Sequence, residues 1–173
     1  MSNKWILIIL TVICGVSRAA DKGQDICYTG NVAAEKGASF SVGVYVKNAD
    51  TLAGMQIPIY YRSEKVNLRC DSVSFHNSRC AEFTIKDYRI EPLGKTIYFA
   101  LIDTRGRLLA PGDGLVATLW FTVDSASPGG RVELFSGPKA YLPDEYIDFS
   151  YLFWLPSSQQ IDFQYKAGYI TVK

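Results

Sequence analysis

From Gly54 to Arg62 apolar and polar positions alternate: Met55, Ile57, Ile59 and Tyr61 fall on one side, and Gln56, Pro58, Tyr60 and Arg62 on the other. A period of two predicts a strand with one core face and one mixed face. Pro58 has no N–H to give to a ladder, which places this strand beside an edge or a bulge. The same alternation recurs in residues 40–46, with Phe40, Val42, Val44 and Val46 set against Ser41, Gly43 and Tyr45. Ile97, Phe99 and Leu101 alternate with Tyr98, Ala100 and Ile102. Leu115, Ala117, Leu119, Phe121 and Val123 alternate with Val116, Thr118, Trp120 and Thr122. Weaker patterns predict strands at 26–29, 66–75, 83–90, 132–135 and 169–172.

No stretch after residue 20 has a convincing helical period, and Gly, Pro and Asn punctuate the strands. Short strands at regular spacing with such turns predict an all-β sandwich. No linker or internal repeat divides residues 21–173, so they are expected to form one domain. The stretch 141–165 is aromatic-rich, is broken by Pro143 and Pro156, and reads as an insertion before the last strand.

Residues 1–20 read as a secretory signal peptide. Lys4 supplies the positive end, residues 5–16 the apolar run, and the small residues around Ala19 and Ala20 the cleavage site. The run is shorter than the roughly 20 apolar residues a membrane span needs, so no membrane insertion is expected after cleavage. The expected localisation is secreted or periplasmic. In that oxidising setting Cys27, Cys70 and Cys80 are an odd set. Cys70 and Cys80 flank the polar segment 71–79, where a disulfide would staple two strands and leave Cys27 a buried thiol.

A formal net charge of +1 with scattered Lys and Arg excludes nucleic-acid binding driven by bulk charge. One histidine, His76, and no CxxC spacing argue against a metal site, and no cofactor is expected. Asp144, Glu145 and Asp148 cluster within one stretch, whereas glycosidase carboxylates stand across a cleft on separate elements. They read as a solvated edge, so no catalytic residue is assigned. Asp103-Thr104-Arg105-Gly106 and Pro111-Gly112-Asp113-Gly114 read as plain turns, with a calcium loop the lesser alternative.

Several segments together resemble a cohesin domain. They are LAGMQIPIYYRSEKVNL at 52–68, GKTIYFALID at 94–103, GDGLVATLWFTV at Gly112–Val123 and AGYITVK at 167–173. The resemblance spans roughly 25–173. It implies a nine-stranded jelly-roll β-sandwich and a non-enzymatic role in protein–protein interaction linked to polysaccharide breakdown. In that fold the sheet of the third, fifth, sixth and eighth strands presents its outer face to a dockerin partner. The implied partner-binding residues are Gln56, Tyr60, Tyr98 and Ile102, on a chain expected to be monomeric. Cohesins of cellulosomes carry Asn and Asp on the third strand, where this chain has Gly54 and Gln56, so one acidic acceptor is lost. The alternative reading is a carbohydrate-binding module that recognises polysaccharide through Tyr45 and Trp120, outward neighbours on the opposite sheet. Against it stands the reading of Trp120 as packed under the insertion.

Overall fold

The computed structural model describes residues 25–136, 152–161 and 163–173. Strands β1 (Ile26–Thr29), β2 (Val32–Ala34), β3 (Ser39–Asn48), β4 (Gly54–Arg62) and β5 (Leu68–Ser74) open the chain. After them come β6 (Ile85–Glu91), β7 (Thr96–Ile102), β8 (Gly112–Val123) and β9 (Gly130–Phe135). Short strands β10 (Leu152–Trp154), β11 (Gln160–Ile161) and β12 (Gln164–Lys166) precede the last, β13 (Gly168–Val172). The described residues contain no helix.

Two sheets form the sandwich. One has the order β12-β1-β3-β8-β5. The other runs β11-β10-β4-β9-β13-β2, with β7 on the free side of β4 and β6 beyond it. The described residues thus contain thirteen strands where nine were expected, because the terminal strands each switch sheets and the insertion adds short ones. β1 lies in the first sheet and β2, two residues later, in the second; β12 and β13 make the same switch beside them. Gly168 sits at that crossing. A Cβ there would stand 2.4 Å from Thr29 Oγ1 and 2.6 Å from the carbonyl oxygens of Thr29 and Gly30, so only glycine fits.

The inward residues meet as the alternation predicts. Val42, Val44, Ile57, Ile59, Phe99, Leu101, Leu119 and Phe121 are all buried in one core. Complete burial of each aliphatic or aromatic side chain contributes about 1.5–3 kcal/mol. One phase error stands out. Leu115 was expected inward and Val116 outward, yet Val116 is buried and Leu115 only partly so. Val44 pairs with Ala117 and Tyr45 with Leu115, which leaves Val116 as the extra residue of a β-bulge. A bulge shifts the alternation by one and turns the side chains beyond it to the other face.

Pro58 is buried inside a sheet, not at its rim. On one side of β4, β10 pairs with Gly54 to Gln56 and β9 with Tyr60 to Arg62. Pro58 occupies the gap between those two partners, where a missing N–H costs no ladder bond. Ser136 Oγ donates to its carbonyl.

The expected Cys70–Cys80 disulfide is not formed; Cys27, Cys70 and Cys80 are all buried thiols. The geometry of β8 explains why. Cys70 pairs with Phe121, whereas the Arg79 N–H donates to the carbonyl of Leu115, six positions earlier on the same strand. Six strand residues span about 20 Å, and a disulfide needs Cα atoms within roughly 7 Å. Burial pushes both thiols up to about 12, against which Arg79 and Lys86 pull Cys80 down and Asp71 pushes Cys70 further up.

Candidate functional site

Directly opposed residues of antiparallel strands share a face. β4 and β7 pair Gly54 with Ile102, Gln56 with Ala100, Pro58 with Tyr98 and Tyr60 with Thr96. Gln56, Tyr60, Tyr98 and Ile102 therefore lie together on the outer face of the larger sheet. β6 adds Asp87, Arg89 and Glu91 opposite Ala100, Tyr98 and Thr96. β9 adds Phe135 opposite Tyr60 and Glu133 opposite Arg62. The centre is apolar and aromatic, and the rim is charged.

These four side chains sit at different depths in the face. Gln56, Tyr60 and Ile102 are half-buried, but Tyr98 is only 2% exposed. Tyr60 stacks on Phe135 at 5.3 Å between centroids, and the Arg62 guanidinium lies 4.7 Å over that ring. Burial, followed by the neighbouring Tyr98 hydroxyl, holds the Tyr60 phenol far above its ordinary range. Burial also raises Tyr98, opposed by the nearby hydroxyls of Thr96 and Tyr60. Both phenols are neutral at physiological pH. Tyr98 is thus the floor of the face rather than a projecting anchor. A cavity of about 150 Å³ opens among Gln56, Asp87, Arg89, Tyr98 and Ala100.

The insertion reshapes one end of this face. β10 pairs Leu152 with Gln56 and Trp154 with Gly54, which brings two more apolar side chains alongside β4. At Gly54 a Cβ would meet Ile102 at 3.0 Å, the Leu101 carbonyl at 3.1 Å and the Trp154 ring at 3.5 Å. An asparagine there would have to displace them. Glycine at 54 and tryptophan at 154 are one packing solution, with indole surface where the resemblance implied a polar side chain. Periodicity could not reveal β10, since three residues carry no readable period.

On the opposite sheet Tyr45 and Trp120 share the outer face but are not paired neighbours. Trp120 stands opposite Ser41 on β3 and Ser72 on β5, while Tyr45 stands opposite Leu115. Trp120 is 44% exposed, which sets aside the reading that packs it under the insertion. Tyr45 stacks on Tyr28 at 5.1 Å and 13° between planes. Its ring folds back over Gly43, where a Cβ would lie 2.6 Å from the Tyr45 hydroxyl oxygen and 2.7 Å from ring carbons. Burial, then a 2.8 Å hydrogen bond donated to Asp113, raises the Tyr28 phenol to about 12.

The remaining candidates are structural. Asp113 belongs to β8 rather than to a turn. Asp103 accepts N–H bonds from Arg105 and Arg107, as in a plain Asx turn. His76 is exposed in the turn after β5. Among the described residues no three His, Cys, Asp or Glu side chains gather as metal ligands would, and no helix is long and apolar enough to cross a membrane. The leader 1–20 and the acids Asp144, Glu145 and Asp148 lie outside the described residues.

The architecture is a jelly-roll sandwich with an apolar-centred outer face on its larger sheet. No protein-family model and no curated protein matches the chain. Solved structures do. A type I cohesin from Pseudobacteroides cellulosolvens superposes with a TM-score of 0.67 at 18% identity, covering 87% of this chain and 92% of that one. The cohesin of a type I cohesin–dockerin complex from Clostridium thermocellum gives 0.69 at 15% identity, covering 87% and 99%. A non-cellulosomal cohesin from the hyperthermophilic archaeon Archaeoglobus fulgidus gives 0.63 at 18% identity, covering 87% and 91%. The fold of this chain is the cohesin fold.

Proposed function

We propose that this chain is a secreted, non-catalytic docking module of polysaccharide-degrading assemblies, binding a dockerin-like helical partner on the outer face of β6, β7, β4 and β9. The observation that carries this reading is the convergence of Gln56, Tyr60, Tyr98 and Ile102 on that one face, in a fold shared with a cohesin solved in complex with a dockerin. An apolar centre inside a charged rim is the usual composition of a protein interface. The apolar leader of residues 1–20 supports export. With Gly54 in place of Asn and Gln56 in place of Asp, the face offers fewer charged acceptors and more indole surface, which favours a less polar partner helix.

One experiment tests the reading. The chain is recovered from culture medium, where export predicts a first residue of Ala20 or Asp21, and titrated calorimetrically against a panel of type I dockerins. A Gln56→Arg variant places a long cation at the centre of the face. Loss of a central contact costs about 2 kcal/mol, roughly thirtyfold in affinity. Absence of binding to every dockerin, or undiminished binding by Gln56→Arg, would refute the docking face. Recovery of the chain only with residues 1–20 attached would refute export.

A further inference from the structure

The outer face of the smaller sheet has a different chemistry. Trp120 lies on β8 between Thr118 and Thr122, with Ser41 across one ladder and Ser72 across the other. Hydroxyl side chains surround the indole on four sides. A protein interface needs several apolar anchors sealed from water, whereas the indole of this face stands in a field of hydroxyls. A pyranose ring needs such a plate, because its C–H face packs on a π surface while its rim of hydroxyls seeks donors and acceptors.

The polar groups beside Trp120 are held in place. Thr122 Oγ1 donates to Asp71 Oδ2 at 2.6 Å, and Asp71 Oδ1 accepts from Arg69 Nε at 2.7 Å. Ser39 Oγ lies 2.8 Å from Thr122 Oγ1. Asp71 reaches this row because it is the extra residue of a bulge between Cys70 and Ser72. Next to the row is a cleft of about 310 Å³ lined by Asn67, Leu68, Arg69, Thr122 and Asp124. At the other end, the Tyr45 ring lies over Gly43, two β3 residues from the Ser41 that opposes Trp120, or about 7 Å along the strand. An aromatic strip thus leads from Tyr45 across Trp120 to a polar cleft. Arg69 is already paired with Asp71, so the row offers balanced charge and suits neutral sugars over uronates.

We infer that the outer face of β3, β8 and β5 is a polysaccharide-binding surface, with Trp120 as its stacking plate and the Thr122–Asp71–Arg69 row as its hydrogen-bonding edge. The inference does not depend on the docking reading, because the two faces are on opposite sides of the core.

The test is depletion of the purified chain from solution by insoluble cellulose, xylan, mannan and chitin. Three forms are compared: wild type, Trp120→Ala and Gln56→Arg. The surface predicts retention of wild type and Gln56→Arg alike on at least one polymer, and at least tenfold weaker retention of Trp120→Ala. Trp120 is exposed, so its removal leaves the core intact; a circular-dichroism melt verifies this. Asp71→Ala, which dismantles the hydroxyl row without touching the indole, should also weaken retention. Failure of the wild type to bind any of the four polymers, or equal retention of wild type and Trp120→Ala, would overturn the inference. Loss of retention by Gln56→Arg alone would move the sugar site to the other face and overturn it too.

Discussion

Replacing Gly168 by alanine tests the crossing that holds the two sheets together. The perturbation is a single methyl group. Its carbon would lie 2.4 Å from Thr29 Oγ1 and 2.6 Å from two backbone oxygens, those of Thr29 and Gly30. The threonine hydroxyl can rotate, but the two carbonyls belong to the point where β1 passes into β2. Relief therefore requires one chain to move away from the other, in a region where β12 and β13 switch sheets alongside. Overpacking a well-filled site costs about 1–3 kcal/mol and sometimes more; contact with backbone on a crossing places this site at about 3 kcal/mol. For a domain of this size each kcal/mol lowers Tm by roughly 2–4 °C, so a fall of roughly 6–12 °C is expected. Gly106 is the control. It has φ of 80° and no atom within 4 Å of an added Cβ, so alanine there meets only the left-handed backbone cost of about 1–2 kcal/mol. The gain from restricting the unfolded chain is the same in both variants and cancels. Thermal unfolding followed by circular dichroism, with urea titration to give free energies, compares the pair. If Gly168→Ala were no less stable than Gly106→Ala, the close approach at the crossing would be wrong.

Three further predictions concern the cysteines and Asp71. Alkylation of the unreduced, denatured chain should label Cys27, Cys70 and Cys80 separately, and a Cys70–Cys80 peptide pair surviving intact would contradict their separation along β8. Because burial raises both Cys70 and Cys80 to about 12, the unfolded chain loses thiol protons first, so stability should fall as pH rises from the ordinary thiol range near 8.5 towards 12. Asp71 has the opposite sense: hydrogen bonds from Thr122 first, and then from Arg69, hold its carboxyl below the ordinary range. Its contribution is complete above the unfolded value near 4 and is lost as pH falls through the lower folded value. Asp71→Asn should flatten the acid limb of a urea-midpoint profile, and an unchanged limb would show that the row contributes nothing to folding.

Strands with one buried face were legible in the sequence because burial imposes the period of two directly. β4 was readable to its end residues and β8 from Ala117 to Val123, and the inward sets on β3, β4 and β7 packed as the alternation required. The failures have physical causes. Leu115, Val116 and Ala117 are all apolar, so no residue marks which one bulges; the pairing with β3 decides it. The short strands β2, β10, β11 and β12 exist because a neighbouring ladder receives them, and two or three residues carry no period of their own. The outward side of Tyr98 was legible, but its depth was not, because depth depends on packing across separate strands. The Thr122–Asp71–Arg69 row was invisible for the same reason: one member waits on a bulge, and the others meet only when β5 and β8 pair.

The separation of the two faces has a consequence for how the molecule can work. Paired sheets pack about 10 Å apart, and the layer between them here is filled by fully buried side chains such as Phe99, Phe121 and Leu119. Substitutions that far apart, with no shared partner, act independently to within a few tenths of a kcal/mol. Gln56 and Trp120 stand on outer faces on either side of that core, so neither ligand would occupy the other's ground. A double variant, Gln56→Arg with Trp120→Ala, should lose each binding by the factor its single parent loses. With both proposed sites in place, a helical partner on one side and a polysaccharide chain on the other would be held at the same time, which one shared face would forbid. Retention on polymer measured with and without saturating dockerin distinguishes the cases: equal retention fits two faces, and competition between the ligands would place both on one.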